Sequence, residues 1–322
     1  MRIVITDDRF GHNDEEKKIF PHAELIIANC RSEDDLIAAC AGADGILLNQ
    51  APMTGRVIKT LDRCKVISRY GIGYDNVDLN AAEEKGIWVT NVPGYCTEEV
   101  AEHALGLLLS CVRAIPEKDR AIRGGRWNIN RPVKRMSGRI LGIVGFGTTG
   151  KAFWEKIHGF AFSKILVADP RGKSKLEAMR KKDETLFNIT ELVSFDELLC
   201  QSDFISLHVP LNENTRHLIN SKSIAAMKNG VVIINTSRGA VIEEESLVEA
   251  LKDGHIAYAG LDVYEKEPVP ADHPFLLLPN VVLTDHSAYY SAESISELKT
   301  RTAMNALKVL EGNIPSTTVN KL

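Results

Sequence analysis

The sequence predicts an α/β fold of two doubly wound, parallel-sheet domains. Three observations carry that prediction. Short apolar runs recur along almost the whole chain, they are continuous rather than alternating, and helix-like stretches separate them. Continuous hydrophobicity marks strands buried on both faces, as in parallel sheets covered by helices. Strand–helix alternation marks repeated βαβ units. At 322 residues the chain is too long for one small core and suits about two domains of ordinary size.

Taken in order, "RIVITD", "ELIIANC", "GILLN", "KVISRY" and "IWVTN" are the strands of a first domain that reaches about Pro93. "TEEVAEHALGLLLSCVRAIPEKDRAI" then reads as one long helix crossing to a second domain, with Thr97 and Glu99 suited to its first turn. The polar, basic, Gly- and Pro-rich "RGGRWNINRPVKRMSG" leads into a second strand series. That series is "RILGIVG", "KILVAD", "FISLHV", "VVIINT", "YAGLDV" and "VVLTDH", and it reaches about Ser287. The last stretch, "SAESISELKTRTAMNALKVLEG", is amphipathic, with Ile295, Leu298, Ala303 and Leu307 near helical spacing. It either caps the second domain or returns to the first.

Composition narrows the function. The apolar fraction of 44% and charged fraction of 25% are those of a soluble globular protein, which excludes disorder. A net charge of −4 leaves no electrostatic footprint for nucleic acid or an anionic membrane. No apolar stretch approaches the ~18 residues of a membrane span, and "MRIVITDD" opens into a strand rather than a signal peptide. The six cysteines (Cys30, Cys40, Cys64, Cys96, Cys111, Cys200) show no CxxC or zinc spacing, so neither a metal nor disulfide staples are expected. A reduced, cytoplasmic protein acting on small molecules is the reading that remains.

The second domain opens on a cofactor signal. "RILGIVGFGTTGKAFWEKI" places Gly145, Gly147 and Gly150 in GxGxxG spacing, directly after a strand and at the start of a helix. In that context the first glycine allows the tight turn, the second lets a pyrophosphate approach the backbone, and the third lets helix and strand pack closely. The helix N-terminus adds N–H groups and positive dipole for the phosphates. Asp169 ends the next strand, where an acid accepts hydrogen bonds from ribose hydroxyls and repels a 2′-phosphate. NAD is therefore favoured; Arg171, two residues on, keeps NADP possible.

Three charged residues each follow a strand of the same domain: Arg238 after "VVIINTS", Glu267 after "YAGLDVYEK" and His286 at the close of "VVLTD". Ligands of open parallel sheets bind outside the carboxyl ends of strands, so these positions can converge. Taken one at a time they read as a turn residue, a surface charge and a loop histidine; beside a dinucleotide site they fit a hydride transfer. A keto oxygen receiving hydride needs a proton, which an imidazolium donates. A neighbouring carboxylate favours the charged imidazole and fixes its orientation. An arginine fork matches a substrate carboxylate bidentately and polarises the adjacent carbonyl.

The segments "SRYGIGYDNVDLNAAEEKGIWVTNVPGYCTEEVAEHALGLLLS", "LGIVGFGTTG", "LHVPLNENTRHLIN", "MKNGVVIINTSRGAVIEEESLVEAL", "AGLDVYEKEP" and "NVVLTDHSA" together resemble the D-isomer-specific 2-hydroxyacid dehydrogenases. The likeness runs along almost the whole chain and is greatest to the bacterial branch near the C-terminal-binding-protein corepressors. It implies a Rossmann nucleotide-binding domain over 97–287, inserted into a flavodoxin-like substrate domain formed by 1–96 and 288–322. It also implies a homodimer through the nucleotide domain, and Arg238, Glu267 and His286 as the catalytic residues. The carboxylate loop falls on "GIGYDN", with backbone N–H groups around Gly71, Ile72 and Gly73, and Arg69 matches a basic substrate contact. Asp262 matches the residue that holds the nicotinamide amide; Thr97, Pro210, Thr215 and Thr236 match further cofactor contacts.

The implied activity is NAD-dependent interconversion of a small 2-oxo acid and its D-2-hydroxy acid. The alternative is an NADH-sensing, corepressor-like interaction protein; the intact Arg238, Glu267 and His286 speak against it. Four positions depart from the family pattern. Thr148 and Thr149 stand where Arg-Ile is usual, replacing a cationic pyrophosphate contact by hydroxyl donors. Glu243 replaces an aspartate, and Asp285 replaces the proline before the histidine.

Overall fold

A computed structural model describes residues 1–127, 133–180 and 182–322. Part of the basic stretch after the long helix, 128–132, thus lies outside the described residues. The chain divides into two compact units, Met1–Tyr95 with Tyr290–Leu322, and Cys96–Tyr289.

The first unit holds β1 (Arg2–Ile5), β2 (Glu24–Ile27), β3 (Gly45–Leu48), β4 (Val66–Arg69) and β5 (Trp88–Thr90). They form one sheet in the order β2-β1-β3-β4-β5, every pairing parallel. The central strands are buried on both faces, as their unbroken apolar runs require: all four residues of β3 are buried. The open question of the last helix is resolved here. Ala292–Leu310 packs on β3, β4 and β5 and on the helix Asp14–Ile19, so the chain returns to its first unit.

The second unit holds β6 (Ile140–Val144), β7 (Lys164–Ala168), β8 (Thr190–Leu192), β9 (Phe204–Leu207), β10 (Val231–Asn235), β11 (Ile256–Leu261) and β12 (Val281–Leu283). Their order, β12-β11-β10-β9-β6-β7-β8, is again wholly parallel, and it reverses direction between β6 and β9. A crevice opens outside the strand ends at such a reversal, and dinucleotides bind there. The sheet is covered on one face by the helix Thr97–Arg113, which packs on β10, β11 and β12 and on the helix Thr148–Lys156.

Two details differ from the sequence reading. β8 is a strand the hydrophobic pattern does not reveal: it is a three-residue edge strand with Glu191 and Leu192 exposed, so it lacks a continuous buried run. The expected single long helix is two, Thr97–Arg113 and Ile115–Arg123. Ala114 between them adopts a left-handed conformation with φ of 52°, and Pro116 lies in the first turn of the second helix. A proline ring clashes with the preceding turn and offers no N–H, so the helix ends before it and restarts.

Candidate active site

The carboxyl ends of β10, β11 and β12 carry the three candidate catalytic side chains. Arg238 leaves β10 in extended conformation and heads a short 3-10 turn, Gly239–Val241. The turn presses against the backbone leading to Glu267: a Cβ on Gly239 would stand 1.8 Å from the carbonyl carbon of Tyr264. Only glycine allows that approach. Glu267 accepts a hydrogen bond from the Tyr264 N–H at 3.0 Å. Its other carboxylate oxygen lies 2.6 Å from Nδ1 of His286.

Electrostatics assign the proton in that contact. Burial pushes the Glu267 carboxyl up, but the His286 ring, the Tyr264 N–H and the charge of Arg238 outweigh it and hold the group below its ordinary 4.5. An ionised carboxylate only accepts, so Nδ1 of His286 carries the hydrogen and Nε2 is the nitrogen left for chemistry.

His286 itself has φ of 54°, an uncommon conformation for a residue with a side chain. It is over-determined by Asp262, which is fully buried. The His286 N–H donates to the Asp262 carbonyl at 2.9 Å. The Asp262 carboxylate accepts from the N–H groups of Ser287 and Ala288, each at 3.0 Å, and from the Thr284 hydroxyl at 2.6 Å. His103, on the long helix, completes the group with Nε2 2.9 Å from the Thr284 hydroxyl. Sequence reading missed Thr284, His103 and Gly239. The "EHAL" histidine lies on an amphipathic helix with no local signal, and its partner is 181 residues away.

The glycine loop sits at the β6–β9 reversal. Gly145 has φ of 89°, and a Cβ there would meet the His208 carbonyl oxygen at 2.5 Å; one on Gly150 would meet the Gly145 carbonyl at 2.2 Å. A Cβ on Gly147 would meet no protein atom within 4 Å. Its missing side chain therefore leaves room on the open side of the loop. Thr148 and Thr149 open the helix that follows. Asp169 accepts from the Phe146 N–H at 2.8 Å, the Arg171 N–H at 2.7 Å and the Lys175 ammonium at 2.6 Å. Burial raises its carboxyl and these donors more than offset it, so the net direction is down.

The sequence model described as the D-isomer specific 2-hydroxyacid dehydrogenase, NAD binding domain, matches residues 105–288. The chain is 37% identical to a glyoxylate reductase of Korarchaeum cryptofilum over 306 residues, 94% of this chain and 87% of that protein. The chain belongs to the D-isomer specific 2-hydroxyacid dehydrogenase family. It is likewise 41% identical to a hydroxypyruvate reductase of Thermotoga maritima over 267 residues, 81% of this chain and 83% of that one. Among solved structures, the D-lactate dehydrogenase of Aquifex aeolicus, complexed with NAD and lactic acid, superposes with a TM-score of 0.85 at 26% identity, covering 99% of each chain.

Within this family the chain is an NAD-dependent 2-hydroxyacid dehydrogenase, and NAD is its cofactor. The residues present fit that group. Gly147 leaves its side of the loop open, and the Thr236 hydroxyl, at the end of β10, is buried with no hydrogen-bond partner among the described residues. Pro210 and Thr215 are brought together after β9, where the Thr215 hydroxyl donates to the Pro210 carbonyl at 2.6 Å. Thr97 begins the long helix.

The remaining site residues lie in the first unit. Arg69 ends β4 and its guanidinium folds back onto the Tyr70 carbonyl. Gly71 has φ of 141°, and a Cβ there would collide with that guanidinium. The carbonyls of Gly71 and Ile72 accept from the Val92 N–H at 2.9 Å and the Asn91 amide at 2.7 Å. Among the described residues, the N–H groups of Ile72 and Gly73 donate to no backbone carbonyl. Such a pair of unspent donors suits an anion.

Proposed function

We propose that the chain reduces a small 2-oxo acid to its D-2-hydroxy acid with NADH, and runs the reverse reaction with NAD. The His286–Glu267 contact at 2.6 Å carries this reading. Arg238 takes the substrate carboxylate bidentately and polarises the neighbouring carbonyl. The first unit's part in this proposal is anion binding, by the unspent N–H groups of Ile72 and Gly73 in the Gly71–Gly73 loop, with Arg69 as a further cationic contact. Bound NADH supplies the hydride to the carbonyl carbon. Nε2 of His286 delivers the proton to the carbonyl oxygen as negative charge develops there, while Glu267 holds Nδ1 and balances the ring charge. Asp262 keeps the histidine turn rigid. Gly145, Gly147, Thr148, Thr149 and Gly150 receive the pyrophosphate, Asp169 the adenosine ribose, and Thr97, Pro210, Thr215 and Thr236 line the remainder of the dinucleotide.

Glyoxylate and hydroxypyruvate, after the names of the Korarchaeum and Thermotoga relatives, are the first substrates to try. The test is loss of NADH absorbance with a panel of 2-oxo acids, and absence of turnover across the panel sinks the reading. We read the assembly as a homodimer through the second unit. Ile115 and Ile122 are half exposed and Trp127 is 79% exposed on and just after one helix of that unit, an apolar set that water does not favour.

A further inference from the structure

The helix Ala292–Leu310 buries more than its apolar face. Lys299 is fully buried and Asn305 nearly so, although a polar group removed from water is costly unless it is matched. Their partners all lead to one place. The Lys299 ammonium sits 3.5 Å from Glu16, which is itself fully buried, and donates to the His12 carbonyl. Glu16 accepts the hydroxyl of buried Tyr70 at 2.7 Å. Burial and the Glu16 charge push the Tyr70 phenol well up, so it keeps its proton and remains the donor. Phe10 closes the cluster, its ring edge-on to Tyr70 at 5.7 Å and beneath the Lys299 ammonium at 5.6 Å. One turn on, the Thr302 carbonyl accepts the Ser68 hydroxyl at 2.8 Å. Another turn on, the Asn305 amide donates to the Asn91 carbonyl at 3.1 Å, and the Asn91 amide donates to Ile72.

Residues three apart on a helix are neighbours, so 299, 302 and 305 form one continuous stripe. That stripe reaches Tyr70, Ser68 and Asn91, which lie before and behind the Gly71–Gly73 loop. We infer that this stripe is a brace that holds the loop in its anion-binding shape, with Lys299, Glu16, Tyr70 and Asn305 as positioning residues for the substrate carboxylate. The inference rests on the proposed role of that loop. The brace fixes Tyr70 from its side chain and Ile72 from its carbonyl, leaving the Ile72 and Gly73 N–H groups directed by backbone alone. Rigid support of this kind is what a binding loop needs to avoid ordering costs on each encounter.

Tyr70→Phe keeps the ring and removes the hydroxyl, and Asn305→Ala removes the other arm; Lys299→Met leaves Glu16 buried without its counter-ion and serves only as a stability control. Amide hydrogen exchange at Tyr70, Gly71 and Val92, whose N–H groups are bonded to the Leu48, Arg69 and Gly71 carbonyls, reads the brace without any substrate, and should accelerate in Tyr70→Phe and Asn305→Ala. The KM for glyoxylate should rise about tenfold, the scale of one lost hydrogen bond, with kcat within about twofold. The NADH dissociation constant, read by fluorescence, should not move. Unchanged exchange at Tyr70, Gly71 and Val92, or an unchanged KM beside a lowered melting temperature, overturns the brace and leaves these residues merely structural. Failure of the wild type to turn over any 2-oxo acid strikes the proposed reaction instead, and the exchange result still decides the brace.

Discussion

Nδ1 of His286 meets the Glu267 carboxylate at 2.6 Å, while the residue that bears this histidine holds a left-handed backbone. The ring is thus fixed at both ends, by Glu267 at the nitrogen and by Asp262 beneath the turn. The expected consequences of that arrangement can be measured.

Replacing the proton donor should remove the reaction and spare the cofactor. His286→Ala is expected to lower kcat/KM for a 2-oxo acid by roughly 10²–10⁴-fold, the usual weight of a general acid. NADH binding, followed by fluorescence, should stay within about threefold, a difference of only about 0.65 kcal/mol. Full activity in this variant removes His286 from the mechanism.

Glu267 predicts a pH effect with a definite sign. Its carboxyl is held below 4.5, so its charge is present throughout neutral pH and is lost only as the pH falls through that lowered value. The stability it contributes is therefore complete above 4.5 and fades below it. In Glu267→Gln this acid-side loss of stability should weaken, and kcat/KM for reduction at neutral pH should fall about tenfold, for a pair worth about 1.4 kcal/mol. Unchanged kcat/KM in the variant removes Glu267 from the mechanism.

Asp262 is expected to act through the backbone. Asp262→Asn keeps one acceptor oxygen and turns an N–H donor toward the amides of Ser287 and Ala288. One buried amide is then unmatched, at about 1–3 kcal/mol by denaturant unfolding. The kcat should fall, and a raised NADH dissociation constant would report the nicotinamide contact that the resemblance gives to the same carboxylate. Equal stability of the variant and the wild type argues against the anchor.

Asp285 is exposed, and its carboxyl is lowered first by the Ser287 hydroxyl and more weakly by the charges of His103 and His286. Asp285→Asn removes charge without changing shape. Activity should remain within about threefold, because exposed charge pairs are weak. A larger loss would make Asp285 a participant in the site.

The dimer reading rests on Ile115, Ile122 and Trp127. Ile122→Asp places a charge in the middle of that set and is expected to yield a monomer by light scattering, where the wild type gives a dimer. A wild type that is monomeric at micromolar concentration sinks the assembly.

The sequence by itself determined the class of the fold and most of its strands, because a strand buried on both faces must be apolar throughout and therefore announces itself. It also ranked Arg238, Glu267 and His286 as candidates, since each follows such a strand, and it placed Gly145, Gly147 and Gly150 between a strand and a helix. It could not show β8, whose three residues are largely exposed, nor the break at Ala114, where one proline overrides a good amphipathic pattern. Tertiary structure alone decided which polar residues are buried and with whom. Asp262, which the resemblance matches to a nicotinamide contact, is the anchor of the histidine turn; Lys299 and Asn305 lie on a helix that reads only as amphipathic, and both are buried. The physical reason is the same in each case. Hydrophobic periodicity is local and visible in a short window, whereas the partner that makes a buried polar group tolerable, Glu16 for Lys299 or Asn91 for Asn305, can lie almost anywhere along the chain.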